Sequence, residues 1–286
     1  SFPRSYYSSR ATAQGYGQGA GLLASMGADI DGTETQVAPV NTRRQARPAA
    51  TGLLAEARLL GRIGLVLLAR SHLRRAEGNA GDDLELLRKI RDLYVGIGAR
   101  DQALRLSSVI YGQDADGREF PYLYPSFYWD HVERAAREAG IDPYLVLSVI
   151  RQESSFREDA VSRAGAIGLM QIMPKTGRLL ARKIGLRRFH STSLFDPQVS
   201  IRLGSRFLGD QVQRFATGPT AALGFELGLA AYNAGPRAAT AWTKRFSYAD
   251  PDTFVERIPY RETRKYVKLV LKNYAIYKAL SEARSV

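Results

Sequence analysis

From residue 52 to the C-terminal end, apolar side chains recur at three- and four-residue steps, and nowhere do several alternating strands follow one another. That spacing lines the apolar positions along one face of a helix, so the chain reads as all-α with little or no β. Glycines and aspartate–proline pairs punctuate the helices. Gly78, Gly81, Gly96, Gly98, Gly140 and Gly185 break the periodicity, and Asp142-Pro143 and Asp196-Pro197 each place a capping carboxylate before a proline in the first turn. The pattern predicts helices over residues 52–77, 82–95, 101–111, 126–139, 142–153, 174–185, 197–215, 219–232 and 260–282. The run Phe120-Pro-Tyr-Leu-Tyr-Pro125 reads as extended, held by its prolines.

Three stretches differ in composition. Residues 1–50 are rich in Ser, Gly, Gln, Ala and Arg and read as an irregular N-terminal segment. Its alternating glycines (Gly15, Gly17, Gly19, Gly21) miss the dinucleotide fingerprint, and no strand precedes them. Residues 51–115 form short helices that fit stacked antiparallel hairpins and a plain bundle equally well. The polar break at residues 113–118 marks the start of a third region, residues 116–286.

Charge is unevenly divided. Residues 1–150 carry 18 Lys and Arg against 17 Asp and Glu, whereas residues 151–286 carry 23 against 11. A basic half of this kind suits either a solvated surface or attraction to polyanions, among them nucleic acid, anionic lipid and a carboxylate-bearing wall polymer. No zinc-finger spacing or RNA-binding aromatic signature accompanies the charge, which disfavours nucleic acid. The chain has no cysteine, and its three histidines lie about 60 residues apart, so neither disulfide nor metal chemistry is expected. No cofactor is implied. The longest apolar run, residues 63–69, is a third of the roughly 20 residues a membrane span needs.

Glu153 is the residue whose placement invites chemistry. It closes the apolar stretch that begins at Tyr144 and sits near the C-terminal end of its helix. Burial and the negative end of the helix dipole both favour a protonated carboxyl. Such a group donates protons near neutral pH, as glycoside cleavage requires.

Four segments follow one another in order: Arg151-Gln-Glu-Ser-Ser-Phe156, Gly165-Ala-Ile-Gly-Leu-Met-Gln-Ile-Met-Pro174, Ala231-Tyr-Asn-Ala-Gly-Pro236 and Ile258-Pro-Tyr-Arg-Glu-Thr-Arg-Lys-Tyr-Val267. Over residues 122–277 this series resembles the soluble-type lytic transglycosylases, bacterial enzymes with a lysozyme-like domain that cut peptidoglycan glycan strands. The helical hairpins ahead of it resemble the end of the superhelical domain found in larger members. The resemblance implies a catalytic domain over residues 116–286 with Glu153 as sole acid and base. It implies that Ser154 shapes the site, that Met170 and Gln171 line the saccharide cleft, and that Tyr232 and Asn233 contact the sugar at the scissile bond. Glu262 and Tyr266 complete the far wall. Arg237 and Ala239 stand where the family usually has a glycine and a valine, a departure that touches a loop and a packing position.

The implied reaction cleaves the bond between N-acetylmuramic acid and N-acetylglucosamine without water and forms a 1,6-anhydro product. Two alternatives stay open: a lysozyme-type hydrolase in which Glu256 or Glu262 activates water, and a non-catalytic wall-binding scaffold. The implied partners are glycan strands, with room for proteins of the cell envelope. The implied location is the periplasm or cell envelope, reached by a signal not present in this chain.

Overall fold

The computed structural model describes residues 48–114, 117–245 and 250–284. The irregular segment expected over residues 1–50 lies outside them, apart from residues 48–50, which open the first helix. The described chain is all-α, with thirteen α-helices, short 3-10 turns and two isolated β-bridges. It divides into two compact units, with the break between Phe127 and Tyr128.

The first unit holds α1 (Pro48–Arg62), α2 (Val66–Ala80), α3 (Leu84–Gly96), α4 (Arg100–Gln113) and the single turn α5 (Phe120–Leu123). Helix α1 packs on α2 and α3 on α4. Leu53, Ala57, Leu73, Ala76, Leu87, Ile90, Tyr94, Leu106 and Ile110 form one buried cluster. The continuous helix expected over residues 52–77 is two helices, because Gly64 turns the backbone left-handed at φ 79°. The leucine periodicity runs straight through this corner and conceals it.

Residues 117–127, expected to open the following domain, pack with the hairpins. The buried Glu119 accepts from Arg88 at 2.8 Å and Arg91 at 2.7 Å. Phe120 meets Tyr111 edge-on at 5.6 Å. The segment read as extended is one helical turn, with Pro121 in the first turn, where a missing N–H costs nothing.

The second unit contains α6 (Trp129–Ala139), α7 (Pro143–Ser154), α8 (Pro174–Lys183), α9 (Pro197–Phe215), α10 (Gly224–Ala234), α11 (Pro236–Arg245), α12 (Pro251–Arg257) and α13 (Arg261–Arg284). Helix α9 packs against both α6 and α10, while α7 lies between α6 and α13. The helix expected from residue 219 begins as a 3-10 turn over Gly218–Leu223 and becomes α only at Gly224. There Thr220 spends its hydroxyl on the Phe215 carbonyl at 3.0 Å.

The start of α7 is fixed twice over. One Asp142 oxygen accepts from the Tyr144 amide at 2.8 Å, and the other accepts from the Tyr274 hydroxyl at 3.0 Å and the Lys278 ammonium at 3.3 Å. One carboxylate therefore caps α7 and ties it to the far half of α13. Asp142→Ala should destabilise the protein by about 2 kcal/mol in urea unfolding, combining a lost cap with two orphaned donors. Asp142→Asn, which keeps the cap, should cost less.

Candidate active site

Helix α7 is buried along its middle, where every residue from Leu145 to Ile150 is shielded from solvent. Its C-terminal end, residues 151–154, is only partly buried. Ser155 (φ 51°) and Phe156 (φ 65°) both adopt left-handed backbone, and Phe156 is almost fully buried. Two such residues in a row, neither of them glycine, are strained and persist only where packing imposes them. They turn the chain sharply away and leave Glu153 partly buried at the open end of the helix.

The carboxyl of Glu153 has its pKa pushed up to about 7. Burial is the main cause, the Tyr266 hydroxyl opposes it by favouring the anion, and the charge of Glu262 adds to the rise. Tyr266 is buried, and its hydroxyl makes no hydrogen bond of ordinary geometry among the described residues. Burial, and then the charge of Glu153, raise the phenols of Tyr266 and Tyr232 well above their ordinary value. Both remain neutral donors.

The loop over residues 160–173 forms the neighbouring wall. Ile167 bridges Val161 on one side and Ile172 on the other. Gly168 takes a left-handed φ of 79°, and a Cβ there would stand 2.0 Å from the Leu194 carbonyl oxygen, so only glycine fits. Three helices hold this loop by its backbone. The Ser154 hydroxyl on α7 donates to the Leu169 carbonyl at 2.9 Å. The Met170 amide donates to Ser200 on α9 at 3.3 Å. The Tyr232 hydroxyl on α10 donates to the Met170 carbonyl at 2.7 Å, with its ring against Phe207 at 5.2 Å.

The site residues named from the sequence thus meet in one place but play unequal parts. Met170 buries its thioether completely beside Ser205 and Gly204 and presents only its carbonyl. Gln171, at φ 47°, folds its amide back onto the Gly168 and Ala160 carbonyls at 2.9 and 3.2 Å. Ser154 and Tyr232 clamp the loop. Asn233 accepts from the buried Thr263 hydroxyl at 2.7 Å, and its amide nitrogen has no partner among the described residues. Glu262 is exposed in the first turn of α13, one turn before Tyr266.

Thr263, Ser200 and Phe207 were not singled out in the sequence. Thr263 lies inside the Arg-Glu-Thr-Arg segment and was legible as the inward neighbour of Glu262; the other two carry no local signal. Glu256, a candidate water-activating base, is engaged by the buried Lys268 at 2.5 Å. No cluster of His, Asp and Glu among the described residues is arranged to hold a metal.

This arrangement finds its counterpart in one family. Residues 130–255 match the family profile described as "Transglycosylase SLT domain". Over these residues the second unit is similar to the SLT transglycosylase domain. Residues 257–285 match the profile "Soluble lytic transglycosylase helical domain", a stretch that includes α13. The resemblance to soluble lytic transglycosylases drawn from the four motifs is borne out.

The soluble lytic murein transglycosylase of Escherichia coli K12 is 34% identical over 157 residues, 54% of this chain and 23% of that protein. Membrane-bound lytic murein transglycosylase C of Actinobacillus pleuropneumoniae is 34% identical over 162 residues, 49% of this chain and 43% of that protein. An inactive mutant of the lytic transglycosylase Slt from Pseudomonas aeruginosa superposes with a TM-score of 0.64 at 28% identity. That alignment covers 85% of this chain and 39% of the solved one. A soluble lytic transglycosylase in complex with bulgecin A superposes with a TM-score of 0.66 at 26% identity, covering 84% of this chain and 38% of the other. This chain therefore spans less than half of each of these proteins, and about a quarter of the soluble one from Escherichia coli.

The raised proton affinity of Glu153 has a cost in stability. The folded pKa lies above the ordinary 4.5, so the folded protein loses stability as pH rises from about 4.5 through about 7. Glu153→Gln should therefore stabilise the second unit at pH 8 by up to about 3 kcal/mol and leave it little changed at pH 4, as read from thermal unfolding. Tyr266→Phe removes the donor that favours the anion. It should move the Glu153 titration, followed by carboxyl infrared or NMR shifts, to higher pH.

Proposed function

We propose that this protein is a peptidoglycan lytic transglycosylase. It would cleave the β-1,4 bond between N-acetylmuramic acid and N-acetylglucosamine without water and leave a 1,6-anhydro-muramic acid end. The observation that carries this reading is the Glu153 carboxyl, held near neutrality at the end of a buried helix. A group with that pKa is substantially protonated at neutral pH and, once ionised, becomes a competent base.

Each step follows from that property. Protonated Glu153 donates to the glycosidic oxygen, and the leaving sugar departs. Positive charge builds at the anomeric carbon of the muramic acid, where the substrate's own acetamido oxygen shelters it. The ionised Glu153 then takes the proton of the C6 hydroxyl, which attacks the same carbon from within the sugar. Intramolecular attack has a high effective concentration, so no positioned water is required. In this reading Asn233, its oxygen fixed by Thr263, offers its amide N–H groups to the sugar. Exposed Tyr260, set edge-on to Trp242 at 5.2 Å, marks the rim. The substrate places the protein in the periplasm or cell envelope, in the company of glycan strands and of envelope proteins that work on them. No helix among the described residues is long and apolar enough to cross a membrane.

One observation supports a second reading. Glu262 lies close enough to Glu153 to raise its pKa, and two carboxylates flanking a bond are the equipment of a hydrolase. Two variants separate the readings on purified murein. Glu153→Gln should abolish release of soluble fragments, a loss of at least about a hundredfold for a removed general acid, whereas undiminished lysis would refute the site. Glu262→Gln should retain anhydro-ended products by mass spectrometry, with the alkaline limb of its pH profile moved to lower pH. Reducing muramic acid ends, lost in Glu262→Gln, would instead establish the hydrolase.

A further inference from the structure

Helix α8 is not needed to position Glu153, yet it carries a distinctive surface. Gly177, Leu180 and Ala181 turn inward, with Gly177 set against Phe189 and Leu194. The opposite side presents Lys175, Arg178, Leu179, Arg182 and Lys183, all exposed. At 100° per residue these five share one sector of roughly 140°, with Leu179 among the four cations. Exposed Arg187 and Arg188 follow in the next turn.

Lys183 is held by Asp210 at 2.7 Å, and Arg206 holds the same carboxylate at 2.9 Å. Among the described residues no ion pair engages Lys175, Arg178, Arg182, Arg187 or Arg188. A face that serves solubility alone mixes the two signs and avoids large apolar groups. Here Lys175, Arg178 and Arg182 are left unneutralised around a leucine that is 58% exposed, and Met173 at the start of the helix is 42% exposed.

The geometry points to a docking surface for a phospholipid layer rich in anionic headgroups. Long Lys and Arg stems reach outward to headgroup phosphates, while Leu179 between them enters the acyl boundary. A helix packed on its opposite side against the body of the domain presents this face flat. A wall polymer or nucleic acid would match the charge but leave Leu179 without a partner. One leucine and a handful of cations give weak, reversible and salt-sensitive attachment, with each cation contributing about fivefold in affinity.

Co-sedimentation of the whole protein with vesicles tests this independently of wall cleavage. The protein should bind vesicles of equimolar phosphatidylglycerol and phosphatidylcholine, release them at high salt, and ignore pure phosphatidylcholine. The combined variant Lys175→Ala, Arg178→Ala, Arg182→Ala should bind the anionic vesicles about a hundredfold more weakly, and Leu179→Ser severalfold more weakly. Both should retain the native melting temperature and murein digestion. Glu153→Gln should bind vesicles as the native protein does, whatever its effect on the wall. Absence of affinity for anionic vesicles, or affinity unchanged in the triple variant, overturns the proposal. So does a triple variant that loses affinity for isolated murein while keeping its vesicle affinity, which would assign the cations to the wall polymer.

Discussion

The site depends on the capture of two adjacent backbone carbonyls. Leu169 gives its carbonyl to Ser154 and Met170 gives its own to Tyr232, so the loop that walls the cleft is joined to both the helix carrying Glu153 and the helix carrying Asn233. A buried backbone acceptor left without a donor costs about as much as a lost hydrogen bond. The loop therefore has one comfortable position. The same capture explains why the side chain of Met170 points inward against Gly204: with amide and carbonyl both engaged, the thioether has only the core left to fill.

The second wall is set by α13. Glu262, Thr263 and Tyr266 occupy its first turns and act on the site by three different routes: a negative charge felt by Glu153, a hydroxyl that fixes the Asn233 amide, and a phenol that favours the carboxylate. Burial raises the proton affinity of Glu153, Tyr266 lowers it and Glu262 adds to the rise, and the balance lies at about 7. Arg264 reaches the Glu256 and Ile258 carbonyls, and Lys268 holds the Glu256 carboxylate, so the corner leading into α13 is braced beneath these three residues.

Much of this was written in the sequence, because the helix caps and stops are local. Asp142, Asp196 and Gly140 do what their residue types prescribe: the two aspartates accept amides in the first turn and Gly140 closes α6 at φ 67°. The corner at Gly64 is hidden in the sequence pattern because the leucines on either side keep helical spacing through it. The segment over residues 117–127 reads as the opening of the third region, whereas its anchors, Arg88 and Arg91, lie some 30 residues earlier and carry no sequence mark. Within the site, residue types announced the chemistry of Glu153 but not the division of labour around it. That Tyr232 and Ser154 hold a backbone while Thr263 holds an amide depends on where four separate helices meet.

The burial of Glu153 also bears on the time before folding is complete. In an unfolded chain this residue is an ordinary glutamate with a pKa near 4.5, and at neutral pH only about one molecule in three hundred would carry the proton. In the folded chain, burial of the carboxyl holds the proton up to about pH 7. Folding thus turns a carboxyl that is almost wholly ionised at neutral pH into one that is about half protonated there.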